Sequence, residues 1–229
     1  MANLAIIPAR GGSKRIEKKN IKDLFGSPII SYPIRAAIKT KVFDEIIVST
    51  DDDEIANIAR HHHAKTPFVR SAVNSNDHAI LADVILEIIE NYAENGIKFE
   101  NICCILPTAA LIKTEHLISA YKLLVENKYH TVVPIVKYSF PIQRAFYENN
   151  GFLKLREPEF INTRSQDLMP SYHDSGQFYW INTHFFTQNK LIFTDNTGFI
   201  ELDEFEAQDV DTQIDWDMLK LKFQYQKIN

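Results

Sequence analysis

Cysteine is nearly missing from this 229-residue chain: there are two, Cys103 and Cys104, and they are adjacent. Neighbouring side chains on a strand point to opposite faces, so the pair excludes a structural disulfide and reads as two packed free thiols. No stretch approaches ~18 consecutive apolar residues, which excludes a predicted membrane-spanning helix. The first residues run straight into an apolar strand, with no basic region, apolar core or cleavage site, and a soluble, cytoplasmic protein is expected. An excess of positive charge is also lacking. With 25 Lys+Arg against 30 Asp+Glu the net charge is -5, which argues against broad electrostatic binding of nucleic acid. Glycine is scarce, at seven residues, and neither the P-loop pattern G-x-x-x-x-G-K nor the dinucleotide pattern G-x-G-x-x-G occurs. Internal repeats and low-complexity tracts are absent. What is present, at 45% hydrophobic, suffices for one α/β core with a small appendage.

Against this acidic background, Arg10, Lys14, Arg15, Lys18 and Lys19 crowd directly behind the apolar run Leu4-Ala5-Ile6-Ile7. Gly11-Gly12 lets backbone N–H groups close on an anion, Ser13 adds a hydroxyl, and the cations neutralise charge. A polyphosphate is the natural guest, and a nucleoside triphosphate the expected ligand. A solvated basic loop is the bland alternative. Position favours binding, because the C-terminal edge of the strands is where open α/β sheets take ligands.

The apolar run predicts a buried parallel strand, and Glu45-Ile46-Ile47-Val48-Ser49 predicts the next. Between them a helix starts either after Gly26-Ser27, with Pro28 in its first turn, or at Ser31, which removes the kink that Pro33 would impose. Residues 53–62 predict a short surface helix with Ile55, Ile58 and Ala59 inward. His61-His62-His63 closes it. Consecutive imidazoles on a helix diverge by about 100°, so these suit the helix dipole better than a zinc ion. Asp77 is expected to cap a helix whose Ile80, Leu81, Val84, Ile85, Ile88, Ile89 and Tyr92 form a core stripe ending at Gly96. Strands over 102–106 and 131–136, a helix over 117–125, a resumed core segment over 177–181 and a final helix over 214–223 complete the pattern. This alternation predicts a single doubly wound, Rossmann-like, mostly parallel sheet. Residues 137–176 interrupt it. Extended runs at 140–146 and 152–155 flank Asn149-Asn150-Gly151, a hairpin signal. The segment reads as an insertion between core segments 1–136 and 177–229, serving as a dimer arm, a lid, or both.

Asp209-Val210-Asp211 is the second informative motif, because residues two apart on an extended chain share a face and both carboxylates can reach one Mg²⁺ or its waters. Mg²⁺ favours one or two carboxylates plus phosphate oxygens, which matches a basic loop elsewhere in the site; a solvated turn is the alternative. Ser49-Thr50-Asp51-Asp52-Asp53 either caps the following helix or contacts ligand. Arg70, after the predicted strand Pro67-Phe68-Val69, offers a fork of donors for a base or a phosphate. Between 162 and 180, Arg164 can pair with a carboxylate while Gln166, His173 and Gln177 can read hydroxyl or amide groups, which suits a polyhydroxylated acid. An interface hairpin built from the same hydrogen bonds is the alternative.

Ile7-Pro8-Ala9-Arg10-Gly11-Gly12-Ser13-Lys14-Arg15 with Lys19-Asn20, Val48-Ser49-Thr50-Asp51-Asp52, Pro107-Thr108, Asn162-Thr163-Arg164-Ser165-Gln166-Asp167-Leu168, Tyr172-His173-Asp174-Ser175-Gly176-Gln177-Phe178-Tyr179-Trp180 and Gln208-Asp209-Val210-Asp211-Thr212 together resemble the CMP-sugar synthetases. The resemblance covers nearly the whole chain. It implies transfer of CMP from CTP to a nonulosonic acid, with Ala9, Arg10, Gly11, Gly12, Ser13, Lys14, Asn20, Arg70 and Thr108 binding the nucleotide. Arg164, Gln166, His173, Asp174, Gln177 and Tyr179 are implied on the sugar, and Asp209 and Asp211 on Mg²⁺, with Arg10 and Lys14 sharing the catalysis. A homodimer whose arm reaches the partner's sugar pocket is implied as well. Leu106 stands where sialate synthetases often carry Gln, which directs the reading to another nonulosonate. The Arg-Ser-Gln-Asp-Leu and Tyr-His-Asp segments point to pseudaminic acid. Sialate, legionaminate and Kdo remain the rival sugars, and a non-catalytic nucleotide sensor the rival of another class.

Overall fold

The computed structural model describes residues 2–228. Its strands are β1 (Asn3–Pro8), β2 (Asp23–Leu24), β3 (Ser27–Pro28), β4 (Glu45–Ser49), β5 (Asn101–Ile105), β6 (Thr131–Lys137), β7 (Phe146–Asn149), β8 (Phe152–Leu155), β9 (Tyr172–Asp174), β10 (Phe178–Asn182) and β11 (Thr197–Leu202). Its α-helices are α1 (Ser31–Thr40), α2 (Asp53–His61), α3 (Ala72–Ser75), α4 (Leu81–Glu94), α5 (Thr114–Glu126), α6 (Thr183–Asn189) and α7 (Gln213–Ile228). The central sheet runs β11-β6-β10-β5-β1-β4, with β9 paired to the end of β6.

Strands β1, β4, β5, β6 and β11 share one direction, while β9 and β10 run against it. The mostly parallel sheet therefore holds, with one difference from a simple alternation. The chain returns from the insertion through β9, antiparallel to β6, and then lays β10 antiparallel between β5 and β6.

Alternation along each strand sends the core to both sheet faces. Ala5, Ile7, Cys103 and Trp180 pack with α1 and α5 residues such as Ile34, Ala37, Leu117 and Ala120 on one side. Leu4, Ile6, Cys104 and Ile181 pack on the other against Val84, Ile85 and Ile88 of α4 and Phe186 of α6. The two thiols thus face opposite layers, both free and buried. Fully burying large apolar side chains contributes roughly 1.5–3 kcal/mol each before ordering entropy is charged against it. Trp180 does this without stranding its N–H, which donates to the Leu117 carbonyl at 3.0 Å while the ring stacks on Phe43 at 5.0 Å.

Helix α1 begins at Ser31, so Pro33 lies in the first turn, where a missing N–H costs no intrahelical bond. Gly26 turns the β2–β3 hairpin at φ +84 instead of preceding a helix. Helix α4 begins at Leu81 with no side-chain cap; Asp77 is drawn instead to cations across the cleft. The 67–69 strand is reduced to an isolated bridge between Thr50 and Val69. Residues 140–146 are mostly not extended, because a 3₁₀ turn spans Ile142–Arg144 and only Phe146 joins a strand. The hairpin signal is realised in β7–β8, with Asn150 and Gly151 at φ 52 and 81. His61 ends α2, with His62 at its C-cap. Among the described residues, no helix is long and apolar enough to cross a membrane.

Candidate active site

The strand β1 delivers Arg10 to the sheet's C-terminal edge, beside the end of β4. There the Ser49–Asp53 run does two structural jobs. Asp52 caps α2 by accepting from the Ile55 N–H at 3.0 Å, and Asp51 accepts from the Gly11 N–H at 2.9 Å, which anchors the basic loop. A Cβ at Gly11 would come within 2.8 Å of the Asp52 carboxylate, so a larger residue there would have to push Asp52 against its cap on α2. The turn is tightened by the Ser13 N–H on the Gly11 carbonyl at 2.9 Å. Buried Asn20 donates its Nδ2 to the Arg10 carbonyl at 3.0 Å.

The cations of this loop do not point freely into solvent. Arg10 Nη1 donates to the Asn76 carbonyl at 2.7 Å and to Asp77 Oδ1 at 2.9 Å, and Lys14 pairs with the other oxygen of Asp77. These contacts hold the Asp77 carboxyl below the usual carboxylate range, Lys14 first and Arg10 after it. Arg15 Nη2 lies 2.9 Å from Asp211 Oδ1, and Lys19 lies 3.5 Å from the same oxygen while also donating to the Val210 carbonyl. Lys18 pairs with Glu54. Sequence reading found the cations and Asp211; it missed Asp77, 67 residues from Arg10, because nothing local marks an ion pair at that separation.

Behind the loop, Arg70 is only 8% exposed and its Nε has no partner. Burial lowers its guanidinium pKa, partly opposed by Asp51 and Glu87. A buried, unpaired donor of this kind is costly unless a ligand completes it. Arg10, Ser13, Lys14, Asn20, Arg70 and Asp211 line one cleft of about 570 Å³, together with Leu106 and Pro107. Ala9 is fully buried in the core and Thr108 is buried beside Pro107; neither is among the cleft's lining residues. Nothing lies within 4 Å of the position a Cβ would take at Gly12.

The Asp209-Val210-Asp211 segment is not a strand. Val210 is fully buried against Ile16, Leu24, Leu111, Trp216 and Leu219, and this apolar anchor fixes the two flanking carboxylates. Asp211 turns to Arg15; Asp209 turns to Gly176, whose φ of +66 and missing Cβ leave room for it. Burial raises the Asp209 pKa, and the charges of Asp211 and Asp174 add to the rise. Nearby, Tyr179 donates its hydroxyl to Asp174 Oδ2, Gly176 N–H donates to Asp174 Oδ1 at 2.9 Å, and His173 Nδ1 lies 2.8 Å from the Asp174 carbonyl oxygen. Burial, then Asp174, hold the Tyr179 hydroxyl well above the usual phenol range. Gln177 is buried, with Nε2 on the Glu206 carbonyl and Oε1 without a partner. Arg164 and Gln166 are elsewhere: both are exposed on the insertion, and Arg164 Nε is paired to Asp167 at 2.7 Å.

Among the described residues, no three His, Cys, Asp or Glu side chains form a metal cage. The donor set nevertheless fits Mg²⁺. Asp209 sits among like charges that a cation would relieve, and Mg²⁺ takes one or two carboxylates with the rest of its shell from phosphate and water.

Comparison with known proteins assigns the chain to a family. The chain is 38% identical, over 97% of each sequence, to the pseudaminic acid cytidylyltransferase of Campylobacter jejuni. It is 30% identical, over 94% of each, to the CMP-N,N'-diacetyllegionaminic acid synthase of Legionella pneumophila. The fold matches the solved structure of CMP:2-keto-3-deoxy-manno-octonic acid synthetase complexed with CTP at a TM-score of 0.72, with 15% identity and coverage of 99% of this chain and 100% of that one. Residues 4–220 match the cytidylyltransferase family, and the chain belongs to that family.

Proposed function

We propose that this enzyme transfers CMP from CTP to pseudaminic acid, releasing pyrophosphate. The observation that carries the reading is the juxtaposition of Arg10, Lys14 and buried Arg70 with Asp211 around one cleft, linked through Asp211 and Lys19 to Asp209 and, beyond it, Asp174 and Tyr179. Arg10, Ser13 and Lys14 hold the β- and γ-phosphates and stabilise the departing pyrophosphate, because fixed donors aimed at developing charge act most strongly in the transition state. Arg70 and Asn20 face the ribose and cytosine. The anomeric hydroxyl of the sugar attacks the α-phosphorus in line as the bond to the bridging β-phosphate oxygen breaks. Asp209 and Asp211 are suited to hold Mg²⁺, which when bound offsets phosphate charge and acidifies the attacking hydroxyl. Tyr179 donates its hydroxyl proton to Asp174 and so orients that carboxylate.

Greater identity to the pseudaminate relative than to the legionaminate relative supports the sugar assignment. His173, Asp174, Gln177 and Tyr179 then contact the sugar within one protomer. Arg164 and Gln166 lie on an insertion whose hairpin exposes Phe146, Phe152 and Leu153 at 58%, 72% and 73%. An apolar tip of this kind is suited to a second copy of the chain, so the reading includes a homodimer, active in the cytoplasm, with each arm turned toward the other's sugar pocket. The test is pyrophosphate release from CTP and Mg²⁺ with pseudaminic, N-acetylneuraminic, legionaminic and Kdo acids in turn. Turnover led by pseudaminic acid is expected; turnover led by another sugar reassigns the substrate, and CTP binding with no pyrophosphate in any case overturns catalysis.

A further inference from the structure

The cations expected to meet phosphate are already engaged by an anion of the protein itself. Asp77 presents both carboxylate oxygens, one to Arg10 at 2.9 Å and one to Lys14, and the Asn76 carbonyl adds a third contact to Arg10 at 2.7 Å. That is the pattern of a phosphate group: two or three oxygens shared between a guanidinium and an ammonium. We propose that Asp77 is the resting occupant of the phosphate subsite, and that nucleotide enters by displacing the tip of the 76–80 segment. The inference rests on the reading of Arg10 and Lys14 as phosphate ligands.

The segment is built to move at its tip and hold at its base. At the base, the Glu87 carboxylate accepts from the Ser71 N–H at 2.8 Å, from its hydroxyl at 3.0 Å, and from Asn74 Nδ2. At the tip little else secures it. Ile80 is 59% exposed, so apolar burial contributes little to the observed position, and the other side-chain contacts are short-range, Asn76 Nδ2 donating to the Val73 carbonyl at 2.6 Å and the His78 N–H to Asn76 Oδ1 at 2.7 Å. The ion pairs are solvent-exposed, Lys14 most of all, so they favour the closed position modestly and a polyphosphate of higher charge can outcompete them. Asp77 therefore sets affinity: part of the nucleotide's binding energy is spent opening the segment, which reduces the apparent affinity by the closed fraction. In the empty enzyme it also keeps Arg10 and Lys14 paired.

The test uses inorganic pyrophosphate and, separately, CTP, each titrated calorimetrically without metal into wild type, Asp77→Asn and Asp77→Glu. Asp77→Asn should bind pyrophosphate roughly three- to tenfold more tightly, and Asp77→Glu, which restores the carboxylate, should return toward wild type. Amide exchange then separates displacement from a field effect: in wild type, pyrophosphate should speed exchange at His78 and its neighbours. Unchanged affinity in Asp77→Asn, or unchanged exchange on pyrophosphate binding, overturns the proposal. If pyrophosphate behaves as stated but CTP binds to none of the proteins, the Asp77 proposal stands and the nucleotide reading fails.

Discussion

Gly176→Ala tests how tightly the Asp209 carboxylate is held by its neighbours. Gly176 has φ +66, and an added Cβ would lie 3.2 Å from both Cβ and Cγ of Asp209 and 3.5 Å from its Oδ1. Two costs follow. An alanine in left-handed backbone loses about 1–2 kcal/mol, which for a domain of this size corresponds to a fall in melting temperature of roughly 2–8 °C. The second cost falls on function. Asp209 must retreat by a few tenths of an ångström, and Asp174, which accepts the Gly176 N–H at 2.9 Å, moves with the turn. Misplacing catalytic groups by such amounts costs about tenfold or more in rate. The assay is pyrophosphate release against Mg²⁺ concentration, paired with thermal melts. Gly96→Ala is the control: its φ of +73 imposes the same backbone cost, but nothing lies within 4 Å of its Cβ position and it is remote from the cleft. The expected result is two destabilised proteins of which only the Gly176→Ala protein loses turnover and needs more Mg²⁺. If both variants turn over like wild type, Gly176 does not position Asp209 for the reaction.

Asp209→Asn and Asp211→Asn should each lower turnover by at least ~10²-fold while leaving the melts nearly unchanged, since losing Asp209 relieves a carboxylate crowded by Asp211 and Asp174, and losing Asp211 breaks only surface ion pairs with Arg15 and Lys19; normal rates at low Mg²⁺ would place the metal elsewhere. Arg10→Lys should lose rate even though charge is kept, because the planar guanidinium can offer two nitrogens side by side to two phosphate oxygens, which the single nitrogen of an ammonium cannot do; steady-state rates at saturating CTP decide it. Excision of residues 147–155 should give a folded monomer with weakened sugar use. The cut is mild because Arg156 N–H already donates to the Ala145 carbonyl at 2.8 Å, so the ends are adjacent. A dimer of normal activity in sedimentation would remove the hairpin from both interface and pocket.

The parts of the fold legible in the sequence are those with burial on both faces. Strands β1, β4, β5 and β6 are nearly continuous apolar runs, and the α4 stripe keeps helical spacing over its whole length. Strand direction is not written in periodicity, so the reversal of β10 was invisible. Helix α6 and edge strand β11 escaped notice because one has seven residues and the other buries only Gly198 and Leu202. In the site, Arg10, Lys14, Arg70 and Asp211 could be found from composition and position. Their pairings could not: Arg15 meets Asp211 across 196 residues of chain. The apolar Val210 between two acids reads as extended chain, and its part as the buried anchor of both carboxylates shows only in the packing. Arg164 and Gln166 were grouped with the sugar residues on side-chain chemistry and motif, and a single protomer leaves both exposed on the 137–176 segment, with Arg164 paired to Asp167.

The central claim is transfer rather than hydrolysis, and phosphorus NMR of one reaction mixture tests it most directly. With CTP, Mg²⁺ and pseudaminic acid, the signals of CTP should be replaced by those of pyrophosphate and a CMP-sugar phosphodiester in equal amounts, with no reaction when the sugar is left out. Free CMP appearing in step with pyrophosphate, or CTP persisting unchanged beside the sugar, would contradict it.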